Sequence, residues 1–105
     1  MRIIEERHYR IKPGLAAQFA AIYHEFGLPI QREYLQDFIG YFLTEVGELN
    51  GVVAIWGFDS MDTRLQQRDR MMQDPRWQDY LQRVLHLIDH QQTRLMRPTS
   101  FSPIQ

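Results

Sequence analysis

Two arginines one helical turn apart have the spacing that most directly suggests a binding site. Arg64 and Arg68 follow the segment TEVGELNGVVAIWGFDS and lie in an otherwise polar stretch. Residues four apart share a helix face, so the two guanidinium groups are placed to hold an anion from one side. The alternative is a structural role in which they form ion pairs with Asp62, Asp69 or Glu45.

Other candidates have polar or aromatic side chains and predicted positions on or beside strands. The candidate ligand-binding residues of this kind are His8, Tyr41, Glu45, Asn50 and Trp56. His8, Tyr41 and Glu45 could supply polar groups to a pocket between a sheet and helices. Asn50 is polar at the end of an apolar hairpin. Trp56 could stack on a ligand, and packing in the core is the alternative role for it.

No catalytic or metal-binding constellation is visible. His86 and His90 are four residues apart and could share a metal on one helix, but catalytic zinc sites need about three protein ligands and structural ones about four. We predict both histidines on the solvent face of the last helix and no metal site. The chain has no cysteine, which excludes thiolate catalysis. Because no triad, phosphate loop or paired-carboxylate spacing is present, the sequence assigns no catalytic residue and leaves the identity of any such residue unknown, and we predict no cofactor.

Length, composition and charge limit the function classes. The chain has 105 residues, of which 44% are hydrophobic, and its net charge is -1. We therefore expect a single domain over residues 1–105 and no nucleic-acid partner, which would require a basic surface. No apolar run approaches the ~20 residues of a membrane span or forms the core of a signal peptide. We expect a soluble, unprocessed cytoplasmic protein with no membrane insertion.

Hydrophobic spacing predicts the helices that would carry these residues. Apolar side chains recur at helical spacing over 15–26, and the segment IQREYLQD after it is interpreted as a helical turn or a loop. A polar helix is predicted after the capping residue Ser60. Asp74 followed by Pro75 marks a second start, and the apolar stripe of that helix continues to Ile88.

Alternation and turn residues predict four strands. They cover residues 2–11, 38–46, 52–58 and 93–97, and GELN joins the second to the third. In the second strand, alternation places Phe38 and Phe42 on one face and Tyr41 on the other. Both faces of the central strands are largely apolar, so we expect each face to be covered.

The order strand, helix, strand, strand, helix, strand is that of an α+β ferredoxin-like βαββαβ sandwich. Its helices would cover one face of the sheet and leave the other bare. Because an apolar face needs a partner, and a second copy related by a two-fold axis is an economical one, we predict a homodimer with the sheets face to face.

Five segments in register resemble the NIPSNAP family. They are YRIKPG, TEVGELNGVVAIWGFDS, the pair Arg64 and Arg68, DPRW and FSP, which together extend from Tyr9 to Pro103. The pair Gly57-Phe58 departs from the family, whose members commonly have a polar or basic residue and a tyrosine there. The resemblance implies a homodimeric α/β barrel of the ferredoxin-like superfamily.

The resemblance implies little about chemistry, because the family has no settled reaction. We expect a homodimer that binds a small organic ligand between its sheet and helices. One alternative is a cofactor-independent monooxygenase or a haem-degrading oxygenase, which dimeric α/β barrels also include. A haem-degrading site would need an asparagine on the first strand, which IIEERHYRI lacks, and a ligating histidine on the last helix.

A third possibility is a protein–protein interaction module, as for the animal relatives, which are tied to mitochondria and to vesicle or mitophagy pathways through partners. The N-terminal segment MRIIEERHYRI does not resemble a presequence, so we do not transfer those roles and expect a stand-alone domain. The sequence leaves open whether the chain is an enzyme.

Overall fold

The computed structural model describes residues 2–105, and these contain a four-stranded sheet in which neighbouring strands are antiparallel. The strands are β1 (Ile3–Ile11), β2 (Asp37–Leu43), β3 (Gly51–Phe58) and β4 (Ile88–Met96). Their spatial order is β2-β3-β1-β4. The predicted ferredoxin-like α+β fold is confirmed.

The helical segments connect β1 to β2 and β3 to β4. They are α1 (Ala16–Ile22), a π-helical turn (Tyr23–Gly27), α2 (Leu28–Tyr34), α3 (Met61–Met72), α4 (Pro75–Val84) and a 3-10 turn (Leu85–Leu87). The helix that begins at α1 therefore continues through the segment IQREYLQD as far as Tyr34. Gly27 permits close packing here, because a Cβ at this position would lie 2.7 Å from Cζ of Tyr80.

Both predicted helix caps are confirmed. The backbone N–H of Thr63 donates to Oγ of Ser60 at 3.1 Å, at the start of α3. The backbone N–H of Arg76 donates to Oδ1 of Asp74 at 2.8 Å, at the start of α4. Each cap supplies an acceptor to a donor that has no partner within the helix.

A β-bulge at Ile39 changes the faces of β2. Phe38 lies opposite Trp56, but Gly40, rather than Ile39, lies opposite Ile55. The extra residue reverses the alternation, so Phe38 and Tyr41 both face the helices and Phe42 faces away. The prediction that Phe38 and Phe42 share a face is wrong.

The connection between β2 and β3 is longer than predicted. β2 ends at Leu43, and Val46 is 92% exposed rather than part of the strand. Gly47 and Asn50 have φ angles of 119° and 59°, in the left-handed region that interrupts extended structure. The hairpin closes where the N–H of Thr44 donates to the carbonyl of Gly51 at 2.9 Å.

The last helix is shorter than predicted and the last strand begins earlier. α4 ends at Val84, and β4 starts at Ile88, whose register partner in β1 is Ile11. The apolar stripe predicted a helix as far as Ile88 because this residue packs against the core, as it would in a helix or in a strand. His86 therefore lies in the 3-10 turn and His90 in β4, so the expectation that both lie on the last helix is wrong.

The two faces of the sheet differ. The helices cover the face formed by Val52, Ala54, Trp56 and Phe58, all at most 4% exposed. On the other face β2 and β3 present Phe42, Val53 and Ile55, whereas β1 and β4 present mainly polar and charged side chains. The prediction of two apolar faces is therefore correct for β2 and β3, the strands for which it was made, but β2 lies at an edge of the sheet rather than at its centre. Within residues 2–105, no helix is long and apolar enough to cross a membrane.

Candidate functional site

A cavity of about 240 Å³ lies between the sheet and the helices. Its aromatic lining comprises Tyr9, Phe19, Tyr23, Tyr41, Trp56, Trp77 and Tyr80, and its polar lining comprises Arg7, Gln31, Arg68 and Gln91. The lining residues Met72 and Leu85 are 43% and 51% exposed. Gln91 of β4 is an exposed lining residue as well, so the mouth of the cavity lies between the C-terminal end of α3, the 3-10 turn and β4.

A fully buried carboxylate, Glu5, lies beside this cavity among three arginines. Nε of Arg64 donates to Oε2 of Glu5 at 2.6 Å. The other carboxylate oxygen, Oε1, is 3.7 Å from a guanidinium nitrogen of Arg7 and 3.8 Å from one of Arg68. Both distances exceed a good hydrogen bond, so Arg64 is the close partner of Glu5.

The cluster has more positive than negative charge. Three guanidinium groups face one carboxylate, and three minus one leaves two positive charges. Nη1 of Arg68 is buried and has no hydrogen-bond partner among residues 2–105. Burial lowers the pKa of Arg68 below its ordinary value, Arg7 lowers it further, and Glu5 opposes them. Because arginine stays protonated in proteins, Arg68 is a cation, and its Nη1 is a hydrogen-bond donor that no described residue accepts.

Phenols occupy the wall nearest α1 and α2. The rings of Tyr23 and Tyr41 stack at a centroid distance of 4.4 Å and an angle of 7°, and the hydroxyl of Tyr23 donates to Oε1 of Gln31 at 2.5 Å. Burial raises the pKa of Tyr23, Tyr41 and Tyr80 well above the ordinary tyrosine value. The three phenols are therefore neutral near pH 7. The hydroxyl of Tyr41 is buried and has no partner among residues 2–105.

The structure brings three of the predicted site residues together at the cavity and places a fourth beside it. Tyr41, Trp56 and Arg68 line the cavity. Arg64 lies behind them in its hydrogen bond to Glu5. The acidic partner of the arginine pair is thus Glu5, and not Glu45, Asp62 or Asp69 as expected.

The other three candidates lie elsewhere. His8 is on the opposite face of the sheet, where its Nε2 is 3.2 Å from Oε1 of Glu6. Glu45 is exposed in the loop after β2. Asn50 has a structural role, since its carbonyl accepts from the N–H of Ile11 at 2.9 Å and its Oδ1 from the N–H of Gly14 at 3.2 Å. None of the three lines the cavity.

The residues of the cavity do not fit haem. His86, which would be the ligand if it lay on the last helix, is exposed in the 3-10 turn, and no histidine of residues 2–105 is among those that line the cavity. Across the same residues, no group of three or more histidine, aspartate or glutamate side chains could hold a metal ion.

Three bacterial proteins have solved structures with folds similar to that of this chain. A NIPSNAP family protein from Agrobacterium tumefaciens is 38% identical, with a TM-score of 0.96 over 100% of both chains. A NIPSNAP-like domain protein from Burkholderia xenovorans is 38% identical, with a TM-score of 0.93 over 97% of this chain and 89% of its own. A protein assigned to antibiotic biosynthesis monooxygenases, from Chloroflexus aurantiacus, is 15% identical, with a TM-score of 0.65 over 100% of both chains. At that identity the likeness shows the fold alone.

Curated relatives are longer than this chain. Protein NipSnap of Drosophila melanogaster is 28% identical over 103 residues, and NipSnap homolog 3B of Mus musculus is 30% identical over 104. Each match covers 98% of this chain but only 37% and 42% of the relatives, so the chain spans less than half of their length. The NIPSNAP family model matches residues 4–103. The chain therefore belongs to the NIPSNAP family.

Proposed function

We propose that the protein is a homodimer that binds a small organic molecule in the cavity between sheet and helices. The observation that carries this proposal is a set of buried polar atoms in residues that line the cavity. The hydroxyl of Tyr41, Nη1 of Arg68 and Nε1 of Trp77 have no hydrogen-bond partner among residues 2–105. Buried polar groups without partners are costly, and a bound molecule with a few polar atoms would pair with those that turn toward the cavity on binding.

The composition and size of the cavity support the same function. Ligand sites are mostly apolar clefts with a few polar groups that orient the ligand, and this cavity combines aromatic rings with a small number of donors. Its volume of about 240 Å³ is just below the ~300–1,000 Å³ of sites for drug-sized molecules. The ligand is therefore expected to be small and flat.

The face of the sheet opposite the helices supports the dimer. Phe42 lies beside Val53 in the register of β2 and β3 and is 53% exposed. On the other half of this face, Arg94 donates to Glu6 at 2.5 Å. A two-fold axis brings the same patch of two copies together, so the apolar halves can cover each other. The charged half of each copy carries both a positive and a negative side chain, so two such halves need not repel each other.

A tryptophan at the mouth of the cavity should abolish ligand binding. Met72 lines the cavity on α3 and is partly exposed, so Met72→Trp can obstruct entry without disturbing the core. We expect ligand-observed NMR with a library of small fragments to find compounds that bind the natural protein and compete with one another, and that fail to bind the variant.

The matched control is Leu65→Trp, which adds the same side chain to an exposed position on the same helix, away from the cavity. It should bind the same fragments as the natural protein. Fragments that bind Met72→Trp unchanged, or no competing fragments at all, would contradict ligand binding in this cavity.

A further inference from the structure

We infer that the cavity accepts a small carboxylic acid with an aromatic body, and that Arg68 and Arg7 hold its carboxylate. This inference rests on the proposed function and adds to it the chemical class of the ligand. Both arginines line the cavity, whereas the third arginine of the cluster, Arg64, has its strong partner in Glu5.

The charge of the cluster is the first reason. Arg7 and Arg68 each have side chains 19% exposed, and the carboxylate oxygen between them lies 3.7 Å and 3.8 Å away. All three arginines share one carboxylate, which is fully buried and already bonded to Arg64. Burial lowers the pKa of Arg7, but Tyr9 and Glu5 outweigh it and raise that pKa, whereas burial and the charge of Arg7 lower the pKa of Arg68. The uncompensated positive charge therefore lies mainly on Arg68. Largely buried like charges destabilise each other, and an anion in the cavity would neutralise them.

The shape of the donors is the second reason. A guanidinium group presents parallel N–H donors that match the two oxygens of a carboxylate. Arg7 uses Nε for Oη of Tyr9 at 2.7 Å, and Nη1 of Arg68 has no partner among the described residues. Nη1 of each residue is too far from Oε1 of Glu5 for a good hydrogen bond, so a carboxylate bound beside the two side chains would meet donors that Glu5 does not already use.

The rest of the lining indicates the body of the ligand. Trp56, Trp77 and the stacked pair of Tyr23 and Tyr41 present aromatic surfaces, which favour offset or edge contacts with another ring. No acidic side chain is among the lining residues of the cavity within residues 2–105. An aromatic acid therefore meets complementary groups at both ends, whereas an amine would meet two cations.

The test compares phenylacetate with its neutral analogue phenylacetamide by isothermal titration calorimetry. We expect the natural protein to bind the acid about tenfold or more tightly than the amide, because hydrogen bonds to charged groups are the stronger ones. Arg68→Gln should remove most of this difference and leave the affinity for the amide unchanged. Arg68→Lys keeps the charge but not the paired N–H donors of the guanidinium group, so its preference for the acid over the amide should lie between those of the natural protein and Arg68→Gln.

A control variant makes the outcome decisive. Arg94→Gln removes an arginine on the other face of the sheet, paired with Glu6, and should bind both compounds as the natural protein does. Equal binding of acid and amide, an Arg68→Gln variant that still prefers the acid, or no binding of either compound would overturn the carboxylic-acid assignment. The fragment experiment with Met72→Trp would still decide separately whether the cavity binds small molecules.

Discussion

Replacing Glu5 by glutamine should lower the free energy of unfolding by about 3 kcal/mol, which is the lower end of the range for breaking a buried ion pair. The side chain of Glu5 is 0% exposed, and its carboxylate is the acidic partner of Arg7, Arg64 and Arg68. Glutamine can still accept one hydrogen bond from Arg64, but it leaves three converging positive charges without a counter-charge. Urea denaturation at a fixed protein concentration measures the change.

A second substitution separates the loss of charge balance from a general packing defect. Arg68→Gln in the Glu5→Gln background should restore part of the lost stability, because it removes one of the uncompensated charges. Glu33→Gln is the control, since Glu33 and Arg76 form a pair with both side chains 54% exposed; such surface pairs contribute little. A Glu5→Gln variant as stable as the natural protein, or a double variant less stable than the single one, would contradict this description of the cluster.

Replacing Ile55 by aspartate should convert the proposed homodimer to a monomer. Ile55 is on the face of the sheet opposite the helices and is partly buried, so a carboxylate there would be desolvated by the second copy. Burying an unpaired charge is costly enough to weaken association on the order of 100-fold or more. Size-exclusion chromatography with light scattering at micromolar concentration measures the mass of the particle.

The control for this experiment is Leu65→Asp, which introduces the same charge at an exposed apolar position on α3. It should remain dimeric, and circular dichroism should show that both variants are folded. A natural protein that elutes as a monomer, or an Ile55→Asp variant that remains a dimer, would contradict pairing through this face.

Element order and helix caps could be predicted from the sequence because both depend on local patterns. Ser60 and Asp74 act on donors a few residues away, and each strand has its own alternation. Features that depend on a distant chain segment could not be found in this way. The bulge at Ile39 is visible only in the pairing of β2 with β3. The start of β4 at Ile88 is likewise set by the pairing of Ile88 with Ile11.

The alternation of residues on β1 could have identified two site residues that the sequence analysis did not propose, Glu5 and Arg7. Ile3, Tyr9 and Ile11 alternate on β1 and predict the face that is turned toward the core. Glu5 and Arg7 have the same parity and therefore lie on that face, which makes them candidates for buried charges. His8, which was predicted as a site residue, has the opposite parity and lies on the other side of the sheet.

The convergence of the cluster itself could not be predicted. Glu5 and Arg64 are separated by 59 residues, and their contact requires α3 to pack on the face of the sheet that carries Glu5. Glu45 was an equally reasonable partner for Arg64 as long as β2 was thought to continue to Val46. β2 ends at Leu43 and leaves Glu45 exposed in the loop, so the wrong strand boundary led to the wrong ion pair.

The most direct test of a ligand site between the sheet and the helices is crystallographic fragment screening of the natural protein. We predict that bound fragments cluster in the cavity and contact at least one of the hydroxyl of Tyr41, the guanidinium of Arg68 and Nε1 of Trp77. Fragments found only on the outer surface, with the cavity closed by its own side chains, would contradict the central claim.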